Sequence, residues 1–255
     1  MVITTKQLPG VSLVVIDREE RGNSLDEEHA LELSRVVNNQ CRQDSIHIVA
    51  LRGSGSRFFT TGIDLIHLYR EVTMGQVYEY IIGSIGSLFN SILFCQKPFV
   101  VFVNGYALGL GAEIVALSDI AVGLSTARIG IPALRWGLVP PLTPILSSLS
   151  KNSSQVGSYL LFSSRVVDAS EAQRLGILHK VFTSEEEAHN WLVELAESIS
   201  KLDKYSIQVT LHQLRSRKRE AIDWGLYWLA LSATNPHTVR RLQEFVKKRE
   251  RNRER

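Results

Sequence analysis

Two stretches of the chain place glycine in a turn that follows a run of β-branched and aromatic residues. The first is Arg57-Phe58-Phe59-Thr60-Thr61-Gly62-Ile63-Asp64-Leu65, after the apolar run Ile46 to Leu51. The second is Asn104-Gly105-Tyr106-Ala107-Leu108-Gly109-Leu110-Gly111-Ala112-Glu113, after Phe99 to Val103. Glycine lets the backbone bend sharply and lets a ligand approach it, and a helix that starts there adds the positive end of its dipole. Backbone N–H groups aimed at one point from two such turns can build an oxyanion hole. Glu113 stands beside the second turn, among Ala112, Ile114, Val115 and Ala116. A carboxylate is costly to bury there unless paired; desolvation would raise its pKa toward that of a serviceable proton carrier, and the helix N-terminus would oppose the shift. Taken alone, the residue reads as a helix-start glutamate that complements the dipole.

Other chemistries lack their residues. Gly53-Ser54-Gly55 has no third glycine, and Gly109-Leu110-Gly111-Ala112-Glu113-Ile114 has isoleucine where a dinucleotide fingerprint needs one. There is no GxxxxGK[ST] phosphate loop and no GxSxG elbow. The seven histidines are scattered with no HExxH or CxxC, so a metal site would have to be assembled from distant residues; neither a metal nor a cofactor is expected.

The elements that must carry these turns are legible in outline. With 255 residues, 44% apolar and 22% charged, the chain can bury a full core, as one large domain or two small ones. Its net charge of +3 belongs to the tail: Lys247 to Arg255 holds six basic and two acidic groups, leaving −1 for everything before it. The body therefore lacks the cationic excess of a general nucleic-acid binder. Cys41 and Cys95 are too few for a disulfide framework, and the N-terminus has no long apolar segment, so a cytoplasmic protein is expected. Pro98 to Leu117 is apolar enough for a membrane span, but Asn104, Glu113 and three glycines interrupt it; a buried strand, a glycine loop and a buried helix are the better reading.

The first half alternates strand and helix patterns, with strands over Val11 to Asp17, Ile46 to Leu51 and Pro98 to Val103. Ser24-Leu25-Asp26-Glu27 forms a capping-box signature before Ala30, Leu33 and Val37. Tyr80, Ile81, Ile85, Leu88, Phe89 and Ile92 form an apolar stripe suited to the core or a subunit contact. From Asn152 onward the patterns are mainly helical, over Val156 to Phe162, Ala169 to Leu175, Ala188 to Ile199, Ser206 to Leu214 and Ala221 to Leu231. No linker or internal repeat separates the halves. The chain reads as a core over 1–200 and a helical subdomain over 201–255, packed on that core or on a neighbour.

With these residues in hand, the sequence resembles the crotonase family, also called the enoyl-CoA hydratase/isomerase family, over almost its whole length. Arg18 to Leu25 looks like the segment bordering the coenzyme A site, FFTTGIDL like the first oxyanion turn, and NGYALGLGAEIVALSDI like the second with its helix. Ile129-Gly130-Ile131-Pro132 and Trp136-Gly137-Leu138-Val139-Pro140 resemble the loop across the active site. Val167 to Leu178 resembles the helix before a late strand, and Phe245 to Arg249 the terminal helix. The resemblance implies an α/β fold, a spiral of β-β-α units with a C-terminal helical trimerisation region, assembled as homotrimers or homohexamers. Its ligand would be an acyl-CoA substrate; from the charge and the interrupted apolar run, neither a membrane nor a nucleic acid is the expected partner.

Carried over by position, the N–H groups of Ile63 and Leu110 would hold the thioester oxygen as it becomes an enolate, and Glu113 would carry the proton. Each such donor is worth roughly 3 kcal/mol. Arg18, Arg21, Arg57, Phe59, Thr61, Gly62, Asp64, Leu65, Gly109, Pro132 and Ala133 would surround the substrate. Leu110 replaces a small residue common in the hydratases, and its side chain would narrow the acyl pocket. The main departure is Ala133, which stands where the hydratases carry a second glutamate, and Pro140-Pro141-Leu142-Thr143-Pro144 supplies no acid either. An acid from elsewhere, such as Glu71 or Glu79, could compensate. Hydration of a 2-enoyl-CoA or double-bond isomerisation through one glutamate is the leading expectation. The rivals are a catalytically silent CoA-binding scaffold and, on the strength of the basic tail, an RNA-binding member of the family.

Overall fold

A computed structural model describes residues 3–146 and 154–253; the last two residues of the basic tail, Glu254 and Arg255, lie outside them. The chain begins with β1 (Ile3–Leu8), β2 (Val11–Ile16) and α1 (Glu27–Cys41), then β3 (Ile48–Gly53), β4 (Phe58–Thr60) and α2 (Leu65–Met74). A π-helical turn, Glu79–Ile85, leads into α3 (Gly86–Leu93); β5 (Phe99–Val103), β6 (Tyr106–Leu108) and α4 (Leu110–Leu117) follow. Next come β7 (Ile120–Leu124), β8 (Arg128–Gly130), α5 (Ala133–Trp136), α6 (Thr143–Leu146) and α7 (Ser154–Ser163). The chain closes with β9 (Val166–Asp168), α8 (Ala169–Arg174), β10 (Lys180–Phe182), α9 (Glu185–Ser200), α10 (Lys204–Ala233) and α11 (Pro236–Arg253).

From β3 to β8, strands that follow one another in the chain enter different sheets. The six-stranded sheet runs β1-β2-β3-β5-β7-β10 and the four-stranded sheet β4-β6-β8-β9. The units β3-β4-α2, β5-β6-α4 and β7-β8-α5 thus repeat one pattern, giving each sheet a parallel strand before a helix closes the turn. This is the β-β-α spiral that the resemblance implies. Strands β3 and β5 are buried along their whole length, which explains why they read as continuous apolar runs rather than alternating ones. The apolar stretch from Pro98 to Leu117 is β5, β6 and α4, and among the described residues no helix is long and apolar enough to cross a membrane.

Several local expectations are corrected. The N-cap of α1 is Asp26, whose carboxylate accepts the His29 N–H at 3.0 Å; Ser24 instead bonds Asp64 Oδ2 at 3.2 Å. The two helices expected over Ser206 to Leu214 and Ala221 to Leu231 are one, α10. The charged segment between them favours helix, and two of its cations turn inward. Arg215, only 3% exposed, pairs with Asp119 and donates to the carbonyls of Leu93, Cys95 and Lys97. Lys218 reaches the carbonyl of Leu117 at 2.9 Å, at the C-terminus of α4. Asp119, on its side, accepts the Phe99 N–H at 2.7 Å. Cys41 and Cys95 are joined as a disulfide between the end of α1 and the turn after α3. Their number excludes a framework, but nothing in a separation of 54 residues announces that the two meet. Helices α10 and α11 pack back on this chain's own core, α10 against α3 and α6, α11 against α2 and α5.

Candidate active site

The first turn is pinned from behind by Leu25. Its N–H donates to Gly62 O at 2.8 Å and its carbonyl accepts the Asp64 N–H at 2.9 Å. In such a parallel bridge the residue between the two bonds points its own N–H the opposite way, and that residue is Ile63. Asp64 then caps α2 through the N–H groups of Ile66 and His67, which accounts for its conformation as a turn-ordering residue. In the second turn Gly109, at φ +54° and ψ −119°, is the N-cap of α4, so Leu110 is the first helical residue and its N–H has no partner within the helix. Among the described residues neither the Ile63 nor the Leu110 amide makes a hydrogen bond.

The two turns touch. Gly62 has φ +87°, and a Cβ placed on it would stand 2.8 Å from both Leu108 O and Leu110 N. Gly111 meets Thr60 as closely, with a built Cβ 2.6 Å from the Thr60 carbonyl. Side chains are excluded at both contacts, so the backbones that carry Ile63 and Leu110 lie against each other. This approach is the structural reason for glycine at both positions.

Glu113 is on the first turn of α4 and only 2% exposed. Its Oε2 accepts the Leu142 N–H at 2.7 Å, and no cation among the described residues pairs with it. Burial pushes its pKa up to about 8, against the pull of that amide. The donor is hidden in the sequence: the proline-rich loop Pro140 to Pro144 offers no acid, and its contribution is a main-chain N–H. Glu113 lines a cavity of about 70 Å³ with Ile63, Gly109, Leu110, Pro132, Ala133 and Trp136. Leu138, Pro140, Pro141 and Leu229 complete an apolar wall, and Glu113 is the one titratable side chain in the described lining. Neither Glu71 nor Glu79 reaches this cavity.

Thr61, Ile63, Leu65, Pro132 and Trp136 also line a larger groove of about 700 Å³, so the small cavity and the groove share a wall. Arg21, Arg57 and Asp64 border the groove. Arg18 and Phe59 do not: the Arg18 guanidinium is held by Asp26 at 2.9 Å and Asp64 at 3.2 Å, and the Phe59 ring lies fully in the core. Phe245 and Arg249 of α11 stand at the groove in their place. Phe245 meets Trp136 edge to face at 5.2 Å, and Arg249 lies over the Phe245 ring at 5.6 Å. Their segment is legible as a terminal basic helix, but no residue pattern tells that it folds over the groove of its own chain.

Residues 6–251 match the family model described as enoyl-CoA hydratase/isomerase. The chain belongs to this family. Among curated relatives, the short-chain-enoyl-CoA hydratase of Clostridium acetobutylicum is 30% identical over 207 residues, covering 77% of each chain. The 2,3-dehydroadipyl-CoA hydratase of Escherichia coli is 25% identical over 85% of this chain and 82% of its own length. Among solved structures, the enoyl-CoA hydratase of Bacillus halodurans superposes with a TM-score of 0.84 over 96% of this chain and all of that one, at 19% identity. The enoyl-CoA hydratase/isomerase of Pseudoalteromonas atlantica gives 0.81 over 97% and 98%, at 22% identity. At such identities these two structures establish the hydratase/isomerase fold.

Proposed function

We propose that this chain is an acyl-CoA enzyme that activates the α-carbon of a thioester and moves one proton through Glu113. The amides of Ile63 and Leu110 would hold the thioester oxygen as an enolate forms, and because they are main-chain groups their apolar side chains are no obstacle. The observation that carries this reading is the pair of interlocked glycine turns beside a single buried, unpaired carboxylate. The groove takes the rest of the coenzyme, with Arg21, Arg57 and Arg249 at hand for its phosphates, and no further cofactor takes part.

A lone carboxylate suffices for double-bond migration. Glu113 takes the proton from the α-carbon of a 3-enoyl thioester, electrons flow onto the carbonyl oxygen, and the same proton returns at the γ-carbon to give the 2-enoyl product. Water addition asks more of it: Glu113 must take the water proton as oxygen bonds the β-carbon, then deliver it to the α-carbon. Isomerisation is therefore the reaction that the site serves best and hydration the slower one. The cavity of about 70 Å³, narrowed by Leu110 and Leu138, suits short acyl chains.

Purified protein given a short 3-enoyl-CoA is expected to build the absorbance of the conjugated thioester, and crotonyl-CoA to lose it more slowly. Tight acyl-CoA binding with no turnover of either substrate would leave only the silent scaffold. Ala133→Glu restores an acid to the wall of the cavity. It is expected to raise crotonyl-CoA hydration at least tenfold, within the range of about 10²–10⁴ that general acid–base groups contribute. Unchanged hydration in a folded variant would show that the missing acid is not what limits that reaction.

The assembly proposed is a trimer or paired trimers, seated on the exposed aromatic face of α10 formed by Trp224, Tyr227 and Trp228. Light scattering that reads a monomer at micromolar concentration would remove it. The compartment proposed is the cytoplasm; a Cys41–Cys95 disulfide that persisted in protein extracted from cells would remove it, because that compartment keeps most thiols reduced.

A further inference from the structure

Three side chains that no step above uses converge next to the first turn. Glu27 opens α1, while His67 and Glu71 are four residues apart on α2 and so share one face of it. Their ligand-capable atoms all lie within 4.8 Å of one another. None lines the groove or the inner cavity. The three are not joined by hydrogen bonds. His67 Nε2 is buried without a partner, 3.7 Å from Glu71 Oε1. The Glu71 side chain is 7% exposed, and its carboxylate accepts no hydrogen bond among the described residues. Glu27 accepts a single long one, 3.5 Å from Ser84 Oγ. The arginine of this region, Arg18, is engaged by Asp26 and Asp64, so it does not neutralise the two glutamates.

Two carboxylates around an unbonded imidazole nitrogen, with no lysine or arginine paired to them among the described residues, form a donor set suited to a positive charge. We infer that Glu27, His67 and Glu71 bind a divalent transition-metal ion of the Zn²⁺ or Mn²⁺ kind. One imidazole nitrogen and two carboxylates suit such ions, whereas Ca²⁺ takes six to eight oxygen ligands. Bond lengths of about 2.0–2.2 Å separate tetrahedral ligand atoms by about 3.4 Å, so the three side chains need only draw together by torsions at the glutamates. Glu27 and His67 are partly exposed, which leaves the ion a route in and a place for water as a fourth ligand.

The sequence hides this site because Glu27 is 40 residues from His67, and only the packing of the spiral brings α1 and α2 to one place. Its role is to brace the first turn. His67 packs edge-on against Tyr80 at 4.8 Å, and the Tyr80 hydroxyl donates to Leu25 O at 2.6 Å, the residue bridged to Ile63. An ion that ties α1 to α2 would stiffen the support on which the Ile63 amide is carried.

Metal-stripped full-length protein titrated with zinc chloride, and separately with manganese chloride, is expected to take up one equivalent of at least one of them by calorimetry. Its thermal midpoint should rise on loading. His67→Ala and Glu71→Gln should each weaken uptake at least tenfold and abolish the thermal shift. Crystals of the unaltered protein soaked in zinc chloride read the same point without any variant, through an anomalous peak between the three side chains. Uptake no tighter than in His67→Ala, or peaks only at other histidines, would mean an adventitious ion and overturn the site.

Discussion

Glu113→Gln should abolish nearly all turnover and at the same time make the protein harder to unfold above neutral pH. Glutamine keeps the shape and can accept the Leu142 N–H through its amide oxygen, but it cannot take a proton from carbon or water. The expected loss in kcat is about 10²–10⁴-fold, the usual worth of a positioned proton carrier. The stability gain follows from linkage. Burial lifts the folded-state pKa of Glu113 from 4.5 to about 8, so between these values the folded protein holds a proton that the unfolded chain has released. The contribution of this group is fully present below about pH 4.5 and is lost as pH rises to about 8, at about 1.4 kcal/mol per pH unit, or on the order of 5 kcal/mol in all. Glutamine does not titrate. Urea unfolding at pH 5.5 and 8.5 should show the native protein losing stability across that interval while the variant changes far less. The same titration sets the rate profile: as a base Glu113 must be ionised, so kcat/KM should climb about tenfold per pH unit and level off near pH 8. Full rate in the variant, or equal pH slopes of stability, would take the proton carrier away from this residue.

Half of this double behaviour is legible in the amino-acid sequence. The residues flanking Glu113 are apolar, and apolar neighbours are enough to forecast an upward shift. What they cannot tell is the sum of opposing effects, because the Leu142 amide comes from a loop 29 residues away. The same division runs through the molecule. Glycine announces itself wherever two backbones must touch, so both turns and their order can be read directly. Charged side chains mislead, because sequence periodicity treats them as solvated. Arg215 and Lys218 read as a break between helices and instead fasten α10 to the core, and Arg18, carried over as one of the residues around the substrate, links two aspartates. Long-range closure is the least legible of all. Neither the junction of Cys41 with Cys95 nor the arrival of Phe245 and Arg249 at the groove leaves any local trace, since each depends on how distant helices return to the first turns.

Gly62→Ala tests the other half of the site, the one built from backbone alone. A methyl group at this position would sit 2.8 Å from Leu108 O and 2.8 Å from Leu110 N, closer than any relaxed contact, and φ +87° is a conformation that alanine resists. The two backbones must separate, and with them the amides of Ile63 and Leu110. Transition-state charge held by two fixed donors falls steeply when either is displaced, since removal of one such donor costs about 10²–10³ in rate. Because Gly62 itself lines neither the groove nor the inner cavity, acyl-CoA should still bind, so the deficit belongs in kcat rather than in the dissociation constant. Calorimetry with a non-reactive acyl-CoA, alongside turnover of a short 3-enoyl-CoA, separates the two. Gly75→Ala supplies the control: its φ is +74° and a Cβ there meets nothing within 4 Å, so it carries similar backbone strain without disturbing the turns. If both variants lost activity equally, strain alone would explain the result. A hundredfold or greater gap between them would place the reacting oxygen between the two glycine turns.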